Sequence, residues 1–182
     1  VIAVVRQAGE RILDFYRGDY DVERKADESP VTVADRAADA IIVPVLEDLT
    51  PDIPVVSEER IARSTGDGRF WLVDPLDGTK EFIAGSEEFT VNVALVEHGR
   101  VLFGVVGVPA NGRCYYGGSG FGAWRAEADG AAQPLRVRHQ ATGEFTVVAS
   151  RRHSSPAQER LLYGLRQRFG ELALASVGSR PP

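Results

Sequence analysis

At 182 residues, 43% apolar and 26% charged, the chain has the mix of an ordinary globular protein, which excludes wholesale disorder. A formal net charge of −5 argues against a nucleic-acid surface, where a basic excess is the rule. One cysteine, Cys114, excludes an internal disulfide framework and a cysteine zinc site, and no apolar run approaches the roughly 18 residues of a membrane helix.

The chain opens at Val1 inside an apolar helical pattern, contains no methionine and stops at Arg180-Pro181-Pro182 directly after a strand-like stretch. It is therefore expected to be a piece of a longer protein, and the lack of a targeting segment carries no weight. Val1, Val5, Ala8, Ile12 and Phe15 recur at three- and four-residue spacing and predict a first helix, ended by Gly18. The polar segment from Asp19 to Pro30 is expected to form a hairpin or a loop. A second helix is predicted after Thr32, with Ala34, Ala37, Ala38, Ile41, Ile42, Val45, Leu46 and Leu49 on one face. Thr32 and Asp35 have capping-box spacing, and Pro44 should kink this helix.

Beyond Pro51 the pattern turns strand-like. Pro54 to Ser57 and Phe70 to Val73 read as short buried strands, each running straight into carboxylates. Phe89 to Val108 reads as a hairpin turning at His98-Gly99; Asn111-Gly112 and the stretch from Gly117 to Gly122 mark two more turns. Val147 to Ala149 is a predicted strand, Pro156 to Phe169 a helix and Leu172 to Ser176 a strand. Two helices followed by an antiparallel meander predict a layered α+β domain over residues 1–140. A change of composition near Phe145 marks the start of an α/β unit over 141–182 that is cut short.

The stretch richest in chemistry is Trp71-Leu72-Val73-Asp74-Pro75-Leu76-Asp77-Gly78-Thr79-Lys80-Glu81-Phe82. Three apolar residues deliver two aspartates, three positions apart, into a turn stiffened by proline. Both carboxylates can converge on one point, with the Leu76 carbonyl facing the same way; this all-oxygen environment suits a hard divalent cation such as magnesium. Gly78-Thr79 can present backbone N–H groups to an anion. A bare pair of aspartates at this spacing is more often a solvated turn, and it is the buried strand and the Gly-Thr that favour a metal. Ser57-Glu58-Glu59 is a second acidic cluster at a strand end, and Asp35 reads as a helix cap, as a functional carboxylate, or as both.

Thr32-Val33-Ala34-Asp35, Ser57-Glu58-Glu59 and Asp74-Pro75-Leu76-Asp77-Gly78-Thr79 occur in the order and approximate spacing of the inositol-monophosphatase-like, magnesium-dependent phosphatases, which the chain resembles over nearly its whole length. Lys80-Glu81-Phe82-Ile83, Phe89-Thr90-Val91-Asn92, Gly104-Val105-Val106 through Pro109 and Ser150-Arg151-Arg152-His153 look most like the CysQ branch, the 3′(2′),5′-bisphosphate nucleotidases.

The resemblance implies a layered αβαβα sugar-phosphatase-like fold. Glu58, Asp74 and the Leu76 carbonyl would bind one Mg²⁺, and Asp74 with Asp77 a second, of two or three ions in all. Thr79, paired with Asp35, would help Glu58 activate the attacking water, while Asp77 and the Gly78 and Thr79 amides would meet the scissile phosphate. The implied substrate is 3′-phosphoadenosine 5′-phosphate (PAP), or its sulfated relative PAPS, with Lys80 neutralising phosphate and His153 and Ser179 contacting the nucleotide. Inhibition by Li⁺ and Ca²⁺, a role in sulfate assimilation, a cytoplasmic setting and the homodimers frequent among relatives are implied in the same way. No nucleic-acid polymer or membrane is an expected partner. Two departures stand out: the family's metal-binding Asp in a Trp-Asp-x-Ala helix start has no counterpart, and Gly178-Ser179 runs into Arg180-Pro181 instead of Gly-Ser-Ser-x-Lys. The second metal site is thus incomplete as written.

Within the same fold the alternative is an inositol or sugar monophosphatase, which usually carries Thr-Asn-Phe where this chain has Lys80-Glu81-Phe82. From another class, a catalytically silent nucleotide- or metal-binding module would account for the missing aspartate. Gly118 to Gly122 lacks the Gly-Lys-Ser/Thr ending of a phosphate loop and reads as a hairpin turn. Cys114 reads as an inert buried thiol, His98 as exposed, and Tyr115-Tyr116 and Phe70-Trp71 as core.

Overall fold

The computed structural model describes residues 1–16, 18, 22–24, 30–60, 68–137, 145–150 and 155–177. Two compact units divide after Leu135, where the sequence placed the boundary after residue 140.

In the first unit, α1 (Ile2–Tyr16) and α2 (Val33–Leu49) bury Val5, Ala8 and Ile12 and Ala34, Ala38, Ile42 and Leu46 in one cluster with the strand residues Trp71, Val73, Val91, Val93 and Val105. The helical spacing of the apolar residues dictates this, since positions three and four apart share a face. The predicted face of the second helix is corrected at one edge. Val45 and Leu49 are 42% and 57% exposed, while Asp35 and Asp39 are each 6% exposed. Helix α2 stays continuous through Pro44, whose exposed position puts the lost hydrogen bond on the solvent side. Ahead of it, β1 (Val22–Arg24) and β2 (Pro30–Thr32) form the expected hairpin.

Among the described residues the sheet has seven strands in sequential order: β3 (Val55–Ser57), β4 (Arg69–Asp77), β5 (Thr90–Glu97), β6 (Arg100–Val108), β7 (Arg113–Gly118), β8 (Gly122–Ala126) and β9 (Ala132–Leu135). All neighbours are antiparallel except β3 and β4, which run parallel. This makes the sheet mixed where the sequence predicted an antiparallel one. The turns fall where expected. His98 and Gly99 take φ of 49° and 72°, the two positive angles of a two-residue type I′ turn, and His98 is exposed. The glycine-rich stretch from Gly118 to Gly122 closes the β7–β8 hairpin. Cys114 and Trp71 are buried, and Phe70, Tyr115 and Tyr116 are half-buried.

The second unit contains β10 (Phe145–Ser150) and β11 (Leu172–Val177), paired in parallel with α4 (Pro156–Phe169) between them in sequence. Parallel pairing needs such a crossover. Ser155 caps α4 by accepting from the Gln158 amide, and Pro156 occupies the first turn, where its missing N–H costs nothing.

Candidate active site

The two aspartates of the central motif lie on β4 itself. Asp74 pairs with Asn92 and Asp77 with Thr90, so two residues, Pro75 and Leu76, stand opposite the single residue Val91. This is a β-bulge. On a regular strand, positions three apart point to opposite faces. The extra residue restores the phase: Trp71, Val73 and Pro75 are buried, Asp74 and Asp77 are both half-buried, and Leu76 is buried between them. Asp74 shares its side of the sheet with Leu72, Asn92, Ala94, Gly104 and Val106, which line a shallow open hollow.

Gly78 follows with φ of 89°, an angle glycine adopts without strain, and begins the short helix α3 (Thr79–Ile83). First-turn amides of a helix, here those of Thr79 and Lys80, have no partner within the helix. The Thr79 hydroxyl donates to the Leu76 carbonyl at 3.1 Å, and Lys80 is exposed. Phe82 and Phe89 meet edge-on at 5.2 Å, Tyr16 packs against both, and its hydroxyl donates to the Gly85 carbonyl at 2.7 Å. These rings fasten α3 to the end of α1.

Glu58 arrives from the end of β3, exposed, with its amide bonded to the Val73 carbonyl at 3.1 Å. The parallel β3–β4 pairing is what sets Glu58 beside Asp74. Asp74 responds to its surroundings: its carboxyl is pushed up to about 7, first by burial, then by the charges of Asp77 and Glu58, with the Leu76 amide pulling the other way. Among the described residues its Oδ1 is buried with no hydrogen-bond partner. Asn92 Nδ2 stands 3.5 Å from Asp77 Oδ2.

An orphaned buried carboxylate oxygen beside two further carboxylates suits a hard cation, which would supply the missing partner and relieve the repulsion. The donor set of Glu58, Asp74, Asp77 and the Leu76 carbonyl is all oxygen and so fits such an ion. Among the described residues no three acidic, histidine or cysteine side chains are already gathered at ligating distance. Asp35 is buried in the first turn of α2. His153 and Ser179 lie outside the described residues.

Sequence reasoning passed over Asp39. It sits one helical turn after Asp35, where counting apolar positions draws attention to Ala38 and Ile42 instead. Asp39 accepts from the Ser57 hydroxyl at 2.5 Å and from Arg60 Nε at 2.8 Å. A second carboxylate four residues beyond the first, on the apolar face, was the available signal.

Residues 1–179 match the model of the inositol monophosphatase family. The chain is 43% identical over 186 aligned residues to the 3′(2′),5′-bisphosphate nucleotidase CysQ of Escherichia coli strain K12, covering 98% of this chain and 72% of that protein. It is 38% identical over 162 residues to the same-named protein of Buchnera aphidicola, covering 84% of this chain and 58% of the relative. Among solved structures, CysQ from Bacteroides thetaiotaomicron matches with a TM-score of 0.78 at 34% identity, over 96% of this chain and 70% of that one. The suhB protein of Bartonella henselae matches with a TM-score of 0.78 at 26% identity, over 97% and 68%. A family match across almost the whole chain, together with the bulged Asp74–Asp77 strand end and its Gly78-Thr79 turn, places the chain in the inositol monophosphatase family.

Proposed function

We propose that this chain is a bisphosphate nucleotidase of the CysQ type, hydrolysing the 3′-phosphate of PAP to give AMP and phosphate with Mg²⁺ as its cofactor. The observation that carries the reading is the approach of Glu58 and Asp77 to Asp74, whose Oδ1 is buried without a partner next to the Gly78-Thr79 turn. The names of its 43%-identical relatives supply the substrate class.

Glu58, Asp74 and the Leu76 carbonyl would hold one cation, and Asp74 with Asp77 another. When bound, such ions neutralise charge developing on phosphorus and lower the pKa of water. Asp74 would hold its ion as the carboxylate, without the proton that burial and its acidic neighbours favour in the metal-free chain. Glu58 accepts the proton of the attacking water, with Thr79 and the buried Asp35 orienting it. The Gly78 and Thr79 amides donate to the phosphate oxygens, and Lys80 offsets their charge. Water adds to phosphorus, the bond to the 3′-oxygen breaks, and that oxygen takes up a proton from solvent water to leave as the 3′-hydroxyl. His153 and Ser179 belong to the reading as nucleotide contacts; Li⁺ and Ca²⁺ belong to it as competing ions, and the cytoplasm as its setting.

The substrate is tested by phosphate release from PAP, inositol 1-phosphate and fructose 1,6-bisphosphate at one Mg²⁺ concentration. The expected result is the highest kcat/KM for PAP. A preference for inositol 1-phosphate would move the chain to the monophosphatase branch, and saturable PAP binding without release would make it a silent binding module.

A further inference from the structure

We infer that Asp39 is a positioning residue for Glu58, stapling the turn that carries it; the inference rests on the metal-dependent reading above. Glu58 and Glu59 are the two central residues of a tight turn closed by the Arg60 amide donating to the Ser57 carbonyl at 3.1 Å. A two-residue turn of this kind, with Glu58 exposed and Glu59 half-buried, has little intrinsic rigidity. Here both of its flanks are tied to one carboxylate. Asp39 Oδ1 accepts from the Ser57 hydroxyl at 2.5 Å, and Asp39 Oδ2 accepts from Arg60 Nε at 2.8 Å. Ser57 and Asp39 are 3% and 6% exposed, while the Arg60 side chain is 46% exposed.

The staple is anchored on α2, the helix that also carries Asp35, and its other end adjoins β3, which is paired to β4. Asp35 and Asp39 lie four residues apart on one helix face. One rigid element thus bears on the turn holding Glu58 while presenting Asp35 from its first turn. A carboxylate that must meet a small cation within a few tenths of an ångström gains from such support, because partners behind the ligands set their orientation. Both oxygens of Asp39 face the staple, so its effect on the ion runs through the turn.

The test is calorimetric titration of the metal-free full chain with Mg²⁺ alone, for wild type, Ser57→Ala, Asp39→Asn and Asp39→Ala, beside the melting temperature of each without metal. Ser57→Ala cuts one arm, Asp39→Asn keeps an acceptor for Ser57 but removes the charge facing Arg60, and Asp39→Ala cuts both. Mg²⁺ binding at the Glu58 site is expected to weaken about tenfold for either single cut and up to about a hundredfold for Asp39→Ala, the range typical of residues that support metal ligands. High Mg²⁺ should restore most of the hydrolysis rate in Ser57→Ala. Lower melting temperatures with wild-type Mg²⁺ affinity in all variants would overturn the inference and leave Asp39 a purely structural residue. Should Asp39→Ala fail to fold, Ser57→Ala and Asp39→Asn decide the matter. A wild-type chain that binds no Mg²⁺ would instead overturn the metal reading and the inference with it.

Discussion

At the scale of single residues, Asp74, a proposed metal ligand, sets the demands of that role against those of folding. Burial and the charges of Asp77 and Glu58 raise its carboxyl from the usual 3.8 to about 7. In the metal-free chain the folded state therefore holds this proton more tightly than the unfolded state does. The resulting contribution to stability is greatest at about pH 4 and is lost as pH rises to about 7, staying level above that. Asp74→Asn removes the effect, so in thermal melts with a chelator the variant should gain on wild type between pH 5 and pH 8. A constant difference across that range would contradict the assignment. Added Mg²⁺ should raise the wild-type melting temperature at pH 8 and leave Asp74→Asn unchanged, while hydrolysis by the variant falls about a hundred- to a thousandfold. The acidic residues themselves were legible in the sequence, because Asp-Pro-x-Asp-Gly-Thr after an apolar strand is a distinctive combination. That the two could converge was also expected, from a proline-stiffened turn; what the sequence did not show is that they lie on a strand whose bulge opposite Val91 is created by pairing with β5. Asp39 was passed over for a related reason: its place on an apolar face signals a buried carboxylate, but its partners Ser57 and Arg60 are brought to it only by the fold.

Among the elements, the long periodic ones and the short strand β3 were read well, while α3 and β9, set by their neighbours, were not. Helices α1, α2 and α4 follow from apolar spacing and end signals. Helix α3 spans only Thr79–Ile83, too short to show a period, and owes its place to Gly78 and to the packing of Phe82 on Phe89 and Tyr16. Strand β9 has four exposed residues and no alternation; it exists because β8 offers it a pairing edge after the Asp129-Gly130 turn. Two glycines test these placements. A Cβ at Gly107 would lie 2.5 Å from Val5 Cγ1, so Gly107→Ala should push α1 from the sheet and cost about 1–3 kcal/mol, read as a lower urea midpoint with kcat preserved in the folded fraction. Gly78 is constrained by its backbone: at φ of 89°, Gly78→Ala should cost about 1–2 kcal/mol and displace the Gly78 and Thr79 amides, so its KM for PAP should rise. Normal kinetics in that variant would argue against a phosphate role for the turn.

For the whole molecule, the sequence supported two helices against a meander but missed the parallel β3–β4 pair. That pair joins segments separated by residues 58–68, and nothing local encodes its direction. It is nonetheless the feature that sets Glu58 next to Asp74. The resemblance to phosphatases was legible because three acidic motifs kept their order along the chain, even though the contacts that unite them are non-local. The measurement that tests the account most directly is phosphate release from PAP by wild type and Asp77→Asn, each with Mg²⁺ and with a chelator, at matched melting temperatures. Wild type should release one phosphate per PAP with Mg²⁺ and none with the chelator, leaving AMP, and Asp77→Asn should lose about a hundredfold or more. Equal release by the variant, or undiminished release in the chelator, would contradict the account.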